Sequence, residues 1–380
     1  MYAVASYPVA LLLPLAVYAV HAAVFLSGAR VPGAGWESFG AAALIAGAYA
    51  LLGRVLLALA GGSRLPAFLA LALLSVNPWF VVWTVSDAEN AFVVFLHAVL
   101  CALAARSATR GRLGAVEAVG GGLVAAALAL IRAEALLSVL GLPLVLLVRG
   151  QDPLGPDPFS RAYRLRRLAG PLALYALACA VPLVVARWSG ARVGLQVEPG
   201  ALARSLLFHP EAYRRFAVLT ECLAGRMGTA LFFGLIAETA WLLGRRRLAP
   251  ADAALLVFAV IPAFTFLLLP PDPTPGCPRA TAFFPFACAT AVLLGWRLTP
   301  SAWLTGRPPR VVLAAAAIVA LSALRHARVT WELRAHPPAR AAAGPGPGRR
   351  RPRSSPRPRR RRRGRSAPGS SPTRSRRSAR

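Results

Sequence analysis

Apolar residues run through this chain in blocks about as long as a bilayer is thick, separated by short clusters rich in arginine, proline and glycine. A spanning helix needs roughly 17 to 25 mostly apolar residues. Blocks near that length are Val4 to Leu26, Phe39 to Ala60, Leu65 to Val85, Ala88 to Ala105, Ala115 to Leu130, Ala135 to Val148, Leu168 to Ala186, Met227 to Leu243, Ala253 to Leu269, Ala280 to Trp296 and Val311 to Leu324. The pattern therefore predicts an all-α, polytopic integral membrane protein of about 10–11 hydrophobic helices. The apolar run from Ala115 to Val148 is split because Arg132 and Glu134 interrupt it. A charge held at mid-bilayer costs on the order of 3 kcal/mol. A hairpin whose turn brings both charges to the surface avoids that cost.

Arginines alternate between the two sides that these helices define. One side collects Arg64, then Arg106, Arg110 and Arg112, then Arg149 to Arg167, Arg245 to Arg247, and Arg297 to Arg310. That side is expected to be cytoplasmic. The other receives Arg30, the turn Ser86-Asp87-Ala88-Glu89-Asn90, the Arg132/Glu134 turn, and the segments Arg187 to Arg226 and Pro270 to Arg279. Eleven spans put the C-terminus outside, where its arginines break the same rule, so either one block does not cross or the tail escapes it. Residues 334–380, rich in Arg, Pro and Ser, carry too little apolar surface to fold and are expected to be disordered. Residues 1–333 form the transmembrane domain.

Composition narrows the class. With 57% hydrophobic and only 15% charged residues, and a mean hydropathy of +0.56, two soluble domains are excluded. The formal charge of +30 invites a nucleic-acid reading. However, 16 of the 44 basic residues lie between Arg340 and Arg380, and none is lysine. We expect no nucleic-acid partner; the lipid bilayer is the expected surroundings, and anionic headgroups the tail's expected contact. The cytoplasmic (plasma) membrane is the expected location. Cys101, Cys179, Cys222, Cys277 and Cys288 show no CxxC spacing, so neither zinc nor a disulfide framework is indicated. Met1 to Leu26 lacks a basic n-region and a clear cleavage site, and reads as retained.

Polar chemistry gathers on the arginine-poor side. Asp87 and Glu89 straddle one residue; such a pair binds a divalent cation or the hydroxyls of a polar substrate, or simply caps the following helix. Arg132, whose planar fork suits a phosphate, lies beside Glu134, and an ion pair with Glu134 or Asp87 is the structural alternative. Arg279 opens a further helix, as a second phosphate ligand or a snorkelling anchor. His97, inside an apolar block, reads as a packed residue bonded to a neighbouring helix, and Gly120-Gly121-Gly122 as a close helix contact. His209 and Glu211 have no supporting spacing. Walker, Rossmann, HExxH and nucleophile-elbow motifs are absent from the sequence.

The order of these motifs resembles the glycosyltransferase C (GT-C) superfamily, in particular polyprenyl-phosphate-sugar-dependent enzymes related to protein mannosyltransferases and lipid A aminoarabinose transferases. Ser6-Tyr7-Pro8-Val9 resembles that family's Y-P-P segment, and Tyr49-Ala50-Leu51-Leu52-Gly53-Arg54 its Y-L-L-G-R-R. Leu73-Leu74-Ser75-Val76-Asn77-Pro78 is similar to its L-x-L-S-P step, and Ser86 to Asn90 to its acidic turn. Leu130-Ile131-Arg132-Ala133-Glu134-Ala135-Leu136-Leu137 resembles L-T-R-P-E-A-L-L, and Arg279 to Pro285 a degenerate R-Y-L-x-P-x-x-P. The resemblance runs from Tyr7 to Trp296 and implies transfer of a sugar from a polyprenyl-phosphate carrier to an acceptor on the outer side. It makes Asp87, Glu89, Arg132, Glu134 and Arg279 substrate-binding residues, with no cofactor unless a divalent cation joins Asp87 and Glu89. In the family the general base precedes the Y-P-P segment, after a first span. Only six residues precede Tyr7 here, so the family's first span, first external loop and base are expected to be missing and the chain inactive as given. A transporter or lipid flippase, or a non-catalytic membrane subunit, is the rival class.

Overall fold

The computed structural model describes residues 7–29, 36–60, 64–86, 88–149, 158–189, 250–268, 282, 284–298, 324 and 328. All lie within Met1–Pro337, one of two units into which the chain divides. Among the described residues every regular element is helical and none is a strand. In chain order these are α1 (Tyr7–Ala29), α2 (Trp36–Leu59), α3 (Arg64–Ser75), α4 (Pro78–Ser86), α5 (Ala88–Arg110), α6 (Ala115–Ile131), a 3-10 helix (Ala133–Leu140), α7 (Gly141–Arg149), α8 (Pro158–Trp188), α9 (Pro250–Leu268) and α10 (Phe284–Leu298). Ser38–Leu59, Ala88–Arg110 and Arg166–Trp188 are each long and apolar enough to cross a bilayer. A helix suits that setting because it satisfies its own backbone polar groups. The expected blocks Met227 to Leu243 and, but for Leu324, Val311 to Leu324 lie outside the described residues.

Helix α5 is the axis of the bundle and the most enclosed of the three long spans, packing against α2, α6, α7 and α9. Helix α3 receives α1 on one flank and α10 on another, while α8 leans on α6 and is the most exposed of the three. Two aromatic clusters fill the interior. Tyr18, Tyr49, Phe80 and Phe284 meet in one, and His97, Phe286 and Phe258 in the other. The α6–α8 contact depends on Gly122, where a Cβ would lie 2.5 Å from the Tyr175 carbonyl oxygen and 2.8 Å from Ala178. Gly121 and Gly122 of the triplet are therefore at helix contacts, as the position within an apolar block suggests, whereas Gly120 faces open space.

Two expected helices are broken. Leu65 to Val85 is not one span but α3 and α4, set at 66° to each other. Pro78 has no N–H to give the Leu74 carbonyl, so the ladder must stop there. Asn77 restarts it: its Oδ1 accepts from the Phe80 N–H at 2.8 Å, with Pro78 at the first helical position. The Ala135 to Val148 block begins instead as the 3-10 helix and becomes α-helical only at Gly141. Neighbours hold the tighter coil in place. Ser138 meets His97 Nε2 at 2.7 Å, and Tyr175 donates to the Val139 carbonyl at 2.7 Å.

Candidate functional site

Both ends of the α5–α6 hairpin are polar, and its middle is apolar. At one end α5 closes on Arg110 and Gly111, whose φ of 71° is left-handed and costs glycine little. Its N–H returns to the Ser107 carbonyl at 3.0 Å. Glu117, in the first turn of α6, accepts from the Gly114 N–H at 3.1 Å and pairs with Arg106 Nε at 3.2 Å and Arg110 Nη1 at 3.5 Å. This is the end that the arginine count assigns to the cytoplasm.

At the other end α6 stops at Ile131, and Arg132 turns extended, with φ −136° and ψ 127°. Its backbone remains bonded on both sides, donating to Leu128 and accepting from Ala135, each at 3.0 Å. The side chain reaches back over the start of α5. Nε stands 2.8 Å from Glu89 Oε1, a charge contact, and Nη2 donates to Asn90 Oδ1 at 2.6 Å. Asn90 Nδ2 in turn donates to the Trp83 carbonyl at 3.3 Å, so the last turn of α4 joins the same cluster. Arg132 keeps only 15% of its side chain exposed, whereas Glu89 keeps 48%. The guanidinium is thus tucked into the bundle end, and its carboxylate partner faces outward.

Of the residues named from the sequence, Glu89 and Arg132 come together. Glu89 is thus an ion-pair partner of Arg132 in addition to those expected from the sequence, Glu134 and Asp87, whose side chains lie outside the described residues. The cause is the docking of α6 on α5, which sets Arg132 over the first turn of α5. Glu134 is the second residue of the 3-10 helix, and its side chain lies outside the described residues. Asp87, Arg279, His209, Glu211, Cys222 and Cys277 also lie outside them. Asn90 was missed as a site residue. Its signal was its place beside Glu89 in a first helical turn, where an amide can face an incoming arginine. Ser86 does not cap α5: its hydroxyl bonds back to the Val82 carbonyl at 2.6 Å.

A second polar cluster surrounds the α3–α4 break. The Ser75 hydroxyl is shared by the Pro14 and Leu71 carbonyls at 2.6 and 2.9 Å, and Tyr49 contacts the same oxygen at 3.0 Å. His21 Nδ1 donates to the Ser75 carbonyl at 2.8 Å, and Tyr18 meets Thr84 at 2.9 Å. These groups pin α1 and α2 to the break. His97 bonds to Ser138 and, through Nδ1, to the Val93 carbonyl at 2.9 Å, the packed role expected of it. Cys101, Cys179 and Cys288 are free and buried. No family model, curated protein or solved structure matches the chain.

Proposed function

We propose that the chain is a multi-pass membrane glycosyltransferase-like protein of the GT-C kind, residing in the cytoplasmic membrane. It moves a sugar from a polyprenyl-phosphate carrier to an acceptor on the outer side. The observation that carries this reading is Arg132, a mostly buried guanidinium at the arginine-poor end of the bundle, held by an exposed carboxylate and an amide. A phosphate oxygen can take the place of Glu89 at the guanidinium edge without unburying the arginine. The acceptor hydroxyl attacks C1 of the sugar, its proton passing to the Glu89 carboxylate that the phosphate has displaced from Arg132, and the bond from C1 to the phosphate oxygen breaks. Arg132 then neutralises the charge that grows on the leaving phosphate. Asn90 fixes the plane of the fork, Asp87, Glu89 and Glu134 orient the polar substrate, and Arg279 is a second phosphate ligand. A divalent cation at Asp87 and Glu89 would compete with Arg132 for Glu89.

A flippase or transporter is the second reading, and the broken α3–α4 pair favours it, because interrupted helices line substrate paths in transporters. Against it, the polar groups at this break are hydrogen-bonded within the protein, and among the described residues those that form these bonds include no carboxylate and no arginine. One assay separates the two. Vesicles holding the purified chain receive a polyprenyl-phosphate sugar labelled in the sugar. Transfer yields labelled acceptor, whereas flipping moves intact carrier lipid across the bilayer. The proposal expects Arg132→Lys to lower transfer about tenfold or more at unchanged protein level, because lysine keeps the charge but loses the fork. Flipping without transfer would establish the second reading.

A further inference from the structure

The opposite end of the bundle carries the Arg106, Arg110 and Glu117 cluster. A Cβ at Gly121 would lie 3.6 Å from Leu103, 3.2 Å from Leu142 and 3.5 Å from Tyr175, so α5, α6, α7 and α8 share one level there. At about 1.5 Å per residue, Arg110 and Gly114 lie about 10 Å from that level toward the hairpin turn. Helix α7 drops the same distance by Arg149, about 10 Å, and Tyr175 stands about 25 Å from the start of α8. Were α8 reversed, nine residue steps would have to bridge about 36 Å, beyond their reach of about 32 Å. Helix α8 therefore rises alongside α6, and Arg167 falls about 12 Å below Gly121, in the layer of Arg110 and Arg112.

Of the described carboxylates toward this end, Glu117 is already engaged by Arg106 and Arg110, and Asp252 is buried in the first turn of α9. Arg112, Arg166 and Arg167 are exposed and make no ion pair among the described residues. Just beyond Arg112, α6 presents Val116, Val119 and Leu123 on one face, exposed by 86%, 39% and 50%. Gly120, on the same face, opens onto empty space. Uncompensated arginines below an uncovered apolar rail match a phospholipid: a phosphate for the guanidinium forks, and an acyl chain along the rail. We propose that this shelf binds an anionic phospholipid as a discrete ligand, an inference that rests on the chain's membrane character and not on sugar transfer.

The test uses the full chain in phosphatidylcholine nanodiscs with phosphatidylglycerol bearing a photoactivatable diazirine on one acyl chain. Crosslinks are mapped by peptide. They should fall on residues 115–131 and half-saturate at lower probe concentration than the matching phosphatidylcholine probe. Arg112→Gln with Arg167→Gln should raise that concentration about tenfold, and lysine at both positions should restore most of it. Arg187→Gln, at the far end of α8, should change nothing. If the double variant does not insert, each single variant should shift the midpoint about threefold. Glycerol 3-phosphate, a headgroup without chains, should not displace the probe. Equal labelling by the two probes, an unshifted midpoint in the arginine variants, or displacement by glycerol 3-phosphate overturns the site. Labelling confined to residues 334–380 would also overturn it.

Discussion

Replacing Gly122 with alanine adds one methyl where α6 and α8 touch backbone to backbone. That methyl would meet the Tyr175 carbonyl oxygen at 2.5 Å, Ala178 Cβ at 2.8 Å and the Cys179 amide nitrogen at 3.2 Å. None of these is the tip of a flexible side chain, so the helices must part by about 1 Å, a displacement in the overpacking range of about 1–3 kcal/mol. Alanine returns up to about 1 kcal/mol through its better helix propensity. The net expectation is a loss of about 1–2 kcal/mol. Gly120→Ala supplies the control, because nothing lies within 4 Å of its added methyl and only the propensity gain remains. Unfolding of the purified chain in mixed dodecyl maltoside and SDS micelles, followed by circular dichroism, reads the difference. Gly122→Ala should unfold at lower SDS fraction than wild type, and Gly120→Ala at an equal or higher one. Gly122→Ala matching Gly120→Ala would refute the close α6–α8 approach.

Ser138→Ala removes the bond to His97 and should cost about 0.5–1.7 kcal/mol in the same assay, the range for interhelical hydrogen bonds in membranes. Wild-type stability would mean that the 3-10 helix is held some other way. Asn77→Ala deletes the cap of α4 and should cost about 1 kcal/mol, and Asn77→Asp, which can still accept from the Phe80 N–H, should recover most of it. Glu89→Gln should cost about 1 kcal/mol or less, more at low salt, because the carboxylate is half exposed and its attraction for Arg132 is screened. In a cysteine-free background, Glu89→Cys and Arg112→Cys should react with an impermeant thiol reagent from opposite faces of sealed vesicles. Labelling of both from one face would dismantle the α5–α6 hairpin as a spanning unit.

What the sequence discloses here follows from what each feature depends on. Spanning character depends on composition over a window, so α2, α5 and α8 are visible in the residue order alone. The α3–α4 break was also written there, in Asn77-Pro78, but a count of apolar residues passes over a proline, and the block reads as continuous. The 3-10 helix is different. Nothing in Ala133 to Leu140 demands the tighter coil, and its contacts come from His97 and Tyr175, residues distant in sequence. The same holds for the ion pair. That Arg132 needs an acid is plain from its burial cost, and Glu134 and Asp87 are the acids that the sequence reading puts forward. The packing of α6 against α5 brings in Glu89, which nothing in the residue order singles out.

The two charged ends of that hairpin also fix where the site stands. Glu89 and Arg110 are separated by 21 residues of one helix, or about 31 Å at 1.5 Å per residue, close to the roughly 30 Å of bilayer hydrocarbon. Each end holds an ion pair, Arg132 with Glu89 at one and Arg106 and Arg110 with Glu117 at the other. Sliding the hairpin by one turn, about 5.4 Å, would draw one of these pairs into hydrocarbon. Charged side chains there cost on the order of 2.5–3.5 kcal/mol each at the centre of a span, which opposes such a shift in either direction. With α5 spanning the bilayer, as proposed, Arg132 falls at the boundary between headgroups and acyl chains. The phosphate of a polyprenyl carrier lies at that same depth, its chain in the hydrocarbon and its sugar in water. In the proposed reaction the arginine meets the leaving phosphate without the carrier having to rise from the membrane, because the length of α5 has already matched their heights.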